Sequence, residues 1–144
     1  RSQVVVTCTT AHAPLFSAAD VPPGALVAAV GADNPTKQEL DPRLLGRGAV
    51  VVDSIDQCAA YGELRHALAA GALSRDAVRA ELADVVAGTR PGRLSAEEIV
   101  VFDSTGTALQ DVAAAAWVYE SALGAGKGVG ANLSGDSGVT SRHT

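Results

Sequence analysis

The sequence predicts an α/β protein built on a parallel sheet, and three features carry that prediction. Three short runs of β-branched and small apolar residues, Val4–Cys8, Ala25–Val30 and Gly48–Val52, read as strands covered on both faces. Segments with helical spacing lie between or after them, and strands that alternate with helices join in parallel. Each run ends in a polar loop, and ligands of such sheets bind outside the carboxyl ends of the strands.

The composition sets the scale. A chain of 144 residues fits one domain and can bury roughly two-thirds of its unfolded surface. Hydrophobic residues at 47% and charged residues at 19% describe a globular protein. Aromatics are only 3%, so Ala, Val and Leu must fill the core. The net charge of −5, with no Lys/Arg block, argues against a nucleic-acid partner. No apolar stretch approaches the roughly 20 residues that span a bilayer, so no membrane partner is expected. Arg1-Ser2-Gln3 ahead of Val4 is too short for a signal peptide. Cys8 and Cys58 lie far apart in apolar surroundings and read as reduced core residues of a cytoplasmic protein.

In chain order, the first strand leads into a polar stretch, Thr9 to Gly24, broken by Pro14 and the Pro22-Pro23-Gly24 turn. The second strand stops at the sharp loop Gly31-Ala32-Asp33-Asn34-Pro35. Asp41-Pro42 opens a short helix, with Pro at the first turn, where its missing N–H costs nothing. The third strand ends at Asp53-Ser54, and helical spacing of Ile55, Cys58, Ala59, Leu64 and Leu68 follows, with Gly62 as a break. Ser74 is expected to cap a further helix with Val78, Leu82, Val85 and Val86 on one face and Gly88 at its end. Ser95-Ala96-Glu97-Glu98 has capping-box spacing. The strand-like run Ile99–Phe102 ends at Asp103-Ser104-Thr105-Gly106, and an Ala-rich helix is expected from about Thr107 to Leu123. Beyond Gly124, Gly and Ser predominate, which predicts a mobile tail.

Two segments are more specific than these patterns. Gly31-Ala32-Asp33-Asn34-Pro35-Thr36-Lys37-Gln38-Glu39-Leu40 resembles the signature Gly-Ala-Asp-x-Pro-Gly-Lys-x-Glu-Leu of the ornithine cyclodeaminase/mu-crystallin family. Phe102-Asp103-Ser104-Thr105-Gly106-Thr107-Ala108-Leu109-Gln110-Asp111 is similar to that family's Phe-Asp-Ser-Thr-Gly-x-Ala-x-x-Asp. Val50-Val51-Val52-Asp53 and Gly62-Glu63-Leu64 fit between them, and the likeness runs to about Leu123. Thr36 departs from the family's Gly, which restricts the loop if that position needs positive φ.

The resemblance implies the carboxyl-terminal half of a Rossmann-type domain that binds NAD or NADP, followed by a long helix. Residues 1–105 would be the half-domain. Residues 106–123 would be the helix packing toward a substrate and dimerisation domain, and 124–144 the flexible tail. Known members act at the α-carbon of an L-amino acid or cyclic imino acid by hydride transfer through an imine. They include ornithine cyclodeaminases, alanine dehydrogenases and ketimine or pyrroline-2-carboxylate reductases; the run from Glu81 to Asp111 is more like the latter two groups. Two other functions stand beside this one: a mu-crystallin-like NADP-dependent ligand-binding protein without turnover, and a generic oxidoreductase of 2-hydroxy acids. The last normally needs a His base, and His12 is the histidine near a strand end.

By the same resemblance Asp33 matches the catalytic residue and also touches substrate. Thr7, Val30, Gly31, Ala32, Lys37 and Ser104 match cofactor contacts, and Thr105 a position beside substrate. Chemistry agrees for Asp33, since a carboxylate beside an iminium carbon accepts a nucleophile's proton and stabilises the cation. Taken without the motif, Asp33 reads as an Asx turn before Pro35, Lys37 as an exposed lysine, and Ser104 and Thr105 as helix caps. His12, His66 and Cys8 lack partners at ligand or nucleophile spacing, and no metal site is expected.

The sequence contains no usable glycine fingerprint and no ribose-binding acid. Gly126-Lys127-Gly128-Val129-Gly130-Ala131 spells G-x-G-x-x-A, but a helix precedes it and a polar tail follows, the reverse of what a pyrophosphate site requires. The chain is therefore expected to be a fragment, a processed product or one piece of a split enzyme, inactive and a poor NAD(P) binder alone. A homodimer is expected to form through an amino-terminal domain that this sequence does not contain.

Overall fold

The computed structural model describes residues 2–131. They fall into two compact units, divided between Gly106 and Thr107.

The first unit is the expected parallel sheet. Its strands are β1 (Val4–Thr7), β2 (Leu26–Ala29), β3 (Ala49–Val52), β4 (Ala80–Glu81) and β5 (Val100–Asp103), in the order β1-β2-β5-β3-β4. Every pairing is parallel, with Thr7 beside Ala29, Ala29 beside Asp103, and Asp103 beside Val52. This register brings the carboxyl ends of β1, β2, β5 and β3 into one line. The backbone ladder continues past it: Val30 N–H donates to Thr7 O at 2.9 Å, Ser104 N–H to Ala29 O at 2.9 Å, and Asp53 N–H to Asp103 O at 3.1 Å.

One face of the sheet carries the main core. Val27, Ala29, Val50, Val52 and Val101 meet Leu44 and Leu45 of α1 (Pro42–Arg47), Cys58 of α2 (Ile55–Tyr61), and Leu64 and Ala67 of α3 (Glu63–Ala69). Each aliphatic side chain fully buried this way contributes about 1.5–3 kcal/mol. Asp41 caps α1 through Arg43 N–H with Pro42 in the first turn, and Gly62 separates α2 from α3, as the sequence predicts. The other face holds a smaller cluster of Ala49, Val51 and Val100 against Val85 of α4 (Leu82–Val86).

The structure differs from the sequence reading in four places. Cys8, expected in the core, is exposed, because it lies just past the end of the edge strand β1, whereas Cys58 is buried as expected. β1 is not covered on both faces: Val4 is 55% and Val6 64% exposed, because β1 lies at the edge of the sheet. The single helix after Ser74 is instead a 3-10 turn (Arg75–Ala77), the short strand β4 and α4. The edge of β3 supplies backbone partners that a helix would forgo, with Arg79 N–H donating to Val50 O at 2.8 Å, and Ser74 makes no side-chain capping bond. Ser95–Glu98 opens no helix, since Glu98 spends its carboxylate on Arg79 at 2.7 Å and on Leu94 N–H at 2.7 Å.

The second unit contains α5 (Ala108–Gly124), close to its expected bounds. Gly126, at φ +63°, closes it: Gly126 N–H donates to Leu123 O at 3.1 Å and Lys127 N–H to Ala122 O at 2.8 Å. That is a Schellman ending, which needs the glycine for its left-handed residue. The G-x-G-x-x-A spelling at 126–131 is thus a helix stop. Residues 132–144 of the expected mobile tail lie outside the described residues.

Candidate active site at the carboxyl ends of the strands

The loop after β2 carries Asp33 at the rim of the sheet. Its carboxylate pairs with Lys37 Nζ at 2.8 Å and accepts from Asn34 Nδ2 at 3.2 Å. The Asp33 side chain is 55% exposed while that of Lys37 is 18% exposed, so the lysine is the anchored partner and the carboxylate faces out. The Lys37 ammonium holds the Asp33 carboxyl below its usual range, and Asp33 is therefore ionised at neutral pH. The Asx turn belongs to Asn34, whose Oδ1 accepts from Thr36 N–H at 3.0 Å and Thr36 Oγ1 at 2.8 Å. No described non-glycine residue has positive φ, so Thr36 sits without strain where the family has glycine.

Neighbours pin this loop from outside. His12 Nδ1 donates to Thr36 O at 2.7 Å, His66 Nε2 to Lys37 O at 2.8 Å, and an Arg65 guanidinium N–H to Pro35 O at 3.0 Å. Both histidines hold backbone carbonyls, and no metal-binding cluster occurs among the described residues.

The loop after β5 is built around Asp53. One of its oxygens accepts from Ser104 Oγ at 2.9 Å, Thr105 N–H at 3.0 Å and Gly106 N–H at 2.8 Å; the other accepts from Ser54 N–H at 2.8 Å. Gly106 turns the chain at φ +78° into open space. Thr105 Oγ1 is buried without a hydrogen-bond partner, the kind of atom a bound ligand completes.

Beneath the rim lie carboxylates that the sequence reading left without a role. Glu39, fully buried, accepts from Thr7 Oγ1 at 2.7 Å, Thr9 N–H at 2.6 Å, Thr9 Oγ1 at 2.8 Å and Gly31 N–H at 3.0 Å. Glu63 accepts from the backbone N–H groups of Glu39 at 2.6 Å and Leu40 at 3.1 Å. Asp103 accepts from those of Glu63 at 3.1 Å and Leu64 at 2.8 Å, capping α3. The available signal was positional: Asp53 and Asp103 directly follow apolar runs, and Glu63 directly follows the glycine break.

Thr7, Val30, Gly31, Ala32, Asp33, Ser104 and Thr105 all occupy tips of the neighbouring strands β1, β2 and β5 or the loops leaving them. Gly31 and Ala32 are buried and Val30 is exposed. The hydroxyls of Thr7 and Ser104 are committed to Glu39 and Asp53, which leaves backbone and the free Thr105 Oγ1 for a ligand.

Burial pushes the Glu63 carboxyl up to about 7 and that of Asp103 up to about 6, against the pull of their N–H donors. A carboxyl whose folded-state pKa is raised stabilises the fold while protonated, and that contribution fades as pH rises through the folded value. Asp41 works in reverse: Arg43 holds its carboxyl well below the usual range, so its contribution fades only in strong acid. Stability of this chain is therefore expected to fall between about pH 5 and pH 8, by roughly 2–3 kcal/mol from Glu63 alone. Urea midpoints across that range would measure it, and Glu63→Gln should flatten the slope. A midpoint that rises with pH would refute the assignment.

The profile described as the ornithine cyclodeaminase/mu-crystallin family matches residues 1–126. The chain belongs to the ornithine cyclodeaminase/mu-crystallin family. Within it, the chain is 44% identical to an alanine dehydrogenase of Archaeoglobus fulgidus over 133 residues, 92% of this chain and 41% of that protein. The iminosuccinate reductase of Paracoccus denitrificans, solved in complex with NAD+, matches with a TM-score of 0.80 and 43% identity over 85% of this chain and 38% of that one. The pyrroline-2-carboxylate reductase of Thermococcus litoralis, solved with NADH and L-proline, matches at 0.82 and 29% identity over 89% of this chain and 40% of that one. The chain thus spans about two-fifths of the family members it matches. The family and the Rossmann-type fold expected from the two motifs are the ones found. Among the described residues no helix is long and apolar enough to cross a membrane.

Proposed function

We propose that this chain works as part of an NAD(P)-dependent enzyme acting at the α-carbon of an L-amino acid or cyclic imino acid. The single observation that carries this reading is the ionised Asp33 at the strand rim, held by Lys37 on the loop beside the Ser104–Gly106 turn of the adjacent strand.

The site suits a nicotinamide cofactor. The buried, partnerless Thr105 Oγ1 awaits a polar ligand, and Val30 stands exposed at the tip of β2. Val30, Gly31, Ala32 and the backbone of Thr7 would line its nicotinamide half, with Lys37 and Ser104 contacting it and Thr105 reaching the substrate. When bound, the cofactor supplies or accepts the hydride. Asp33 does the proton work: its carboxylate accepts the proton of the water or amine that adds to the C=N carbon, and its charge stabilises the cationic imine. Lys37 keeps that carboxylate ionised and aimed. The complete enzyme would pair as a homodimer through its amino-terminal domain.

The test is a substrate panel on the complete enzyme, with ornithine, alanine and pyrroline-2-carboxylate, followed by NAD(P)H absorbance and by ammonia release, since cyclodeamination regenerates its cofactor in each turnover. Turnover of at least one is expected. Absence of both an absorbance change and ammonia release across amino and imino acids would end the proposal.

A further inference from the structure

We infer that Glu39 is a positioning residue of this site: its buried carboxylate clamps the tips of β1 and β2 together and so fixes the backbone against which the cofactor is held. The inference rests on the functional reading above and adds to it a residue that touches neither substrate nor cofactor.

Four donors converge on one side chain that is wholly shielded from water. Thr7 Oγ1 and Gly31 N–H meet one oxygen; Thr9 N–H and Thr9 Oγ1 meet the other. Thr7 ends β1, Thr9 lies just beyond it, and Gly31 lies just beyond β2. A ladder bond, Val30 N–H to Thr7 O, joins the same two tips at 2.9 Å. The clamp itself is held in place, since Glu63 grips the Glu39 and Leu40 N–H groups and Asp103 grips those of Glu63 and Leu64. Gly31 and Glu39 lie so close that no side chain fits between them: a Cβ on Gly31 would stand 2.4 Å from Glu39 Oε1. Burial raises the Glu39 carboxyl, but the four donors outweigh it and hold it below its usual range, so the clamp is an anion at neutral pH.

Glutamine at this position keeps the shape and an acceptor oxygen, yet its NH2 group must face donors. With that amide turned toward Gly31 N–H, the tip of β2 moves away from β1, whereas the Thr7 hydroxyl can rotate to accept. A role confined to folding would lower the amount of active enzyme and leave the KM for NAD(P)H unchanged.

The experiment compares wild type, Glu39→Gln and Glu39→Asp in the complete enzyme, measuring KM for NAD(P)H, kcat and thermal midpoint together. Loss of one charge-assisted hydrogen bond predicts a KM raised roughly tenfold or more in Glu39→Gln, with kcat changed by less than about threefold. Glu39→Asp, one methylene short of spanning all four donors, should raise KM as well. Variants that fold and keep the wild-type KM would overturn the inference alone. A wild-type enzyme that does not bind NAD(P)H would overturn the functional reading and the inference with it.

Discussion

Asp33→Asn is expected to lower kcat of the complete enzyme by roughly a hundredfold or more while leaving NAD(P)H affinity within about twofold. The substitution is nearly isosteric, and the amide oxygen can still accept from Lys37 Nζ, now 2.8 Å from the carboxylate. The side chain is more than half exposed, so packing barely changes and the thermal midpoint should hold. What disappears is the negative charge and the ability to take a proton, the two properties that the addition of water or amine to a C=N carbon requires. The same variant separates the enzyme from a mu-crystallin-like binding protein, which would keep its function. Full turnover by Asp33→Asn would remove this carboxylate from the chemistry.

Much of the fold was legible because its signals are local. β1, β2, β3 and β5 are built mostly of Val, Ala, Leu and Phe, in runs long enough to stand out, and Asp41-Pro42 and Gly62 mark helix boundaries through backbone constraints that act within a few residues. β4 was missed because two residues, Ala80 and Glu81, carry no period; they are a strand only because the edge of β3 lies beside them. The same reason explains the capping-box reading at Ser95–Glu98, where Arg79, distant in sequence, claims the glutamate.

The site divides in the same way. Asp33 and Lys37, four residues apart in one loop, both stood out in the motif, although their ion pair did not: Lys37 was expected to contact cofactor. The carboxylates beneath them were not legible as scaffold, because their donors are distant in the chain: Glu63 serves residues 23 and 24 positions away, and Asp103 residues 39 and 40 away. A buried carboxylate is costly unless several donors meet it, and here backbone N–H groups just ahead of α1 and in the first turn of α3 do so. The proposed function rests on this division of labour: buried acids hold backbone N–H groups, and the exposed acid is the one proposed to react.

The largest effect on stability is expected at Gly31. An alanine methyl there would stand 2.4 Å from Glu39 Oε1 and 2.6 Å from the backbone nitrogen of Thr9. Neither can retreat cheaply: the carboxylate is held by its four donors, and the nitrogen belongs to the tip of β1, bonded to that same carboxylate. Overpacking of this kind costs about 1–3 kcal/mol, and each charge-assisted bond lost adds about 1.5–3 kcal/mol. Gly31→Ala should therefore lose roughly 3 kcal/mol or more, a fall in thermal midpoint on the order of 10 °C for a chain of this size. Gly124→Ala provides the contrast, since no atom lies within 4 Å of its Cβ position at the end of α5 and alanine favours helix. A Gly31→Ala protein as stable as the Gly124→Ala protein would mean that the tips of β1 and β2 are free to separate, and that Glu39 does not hold them.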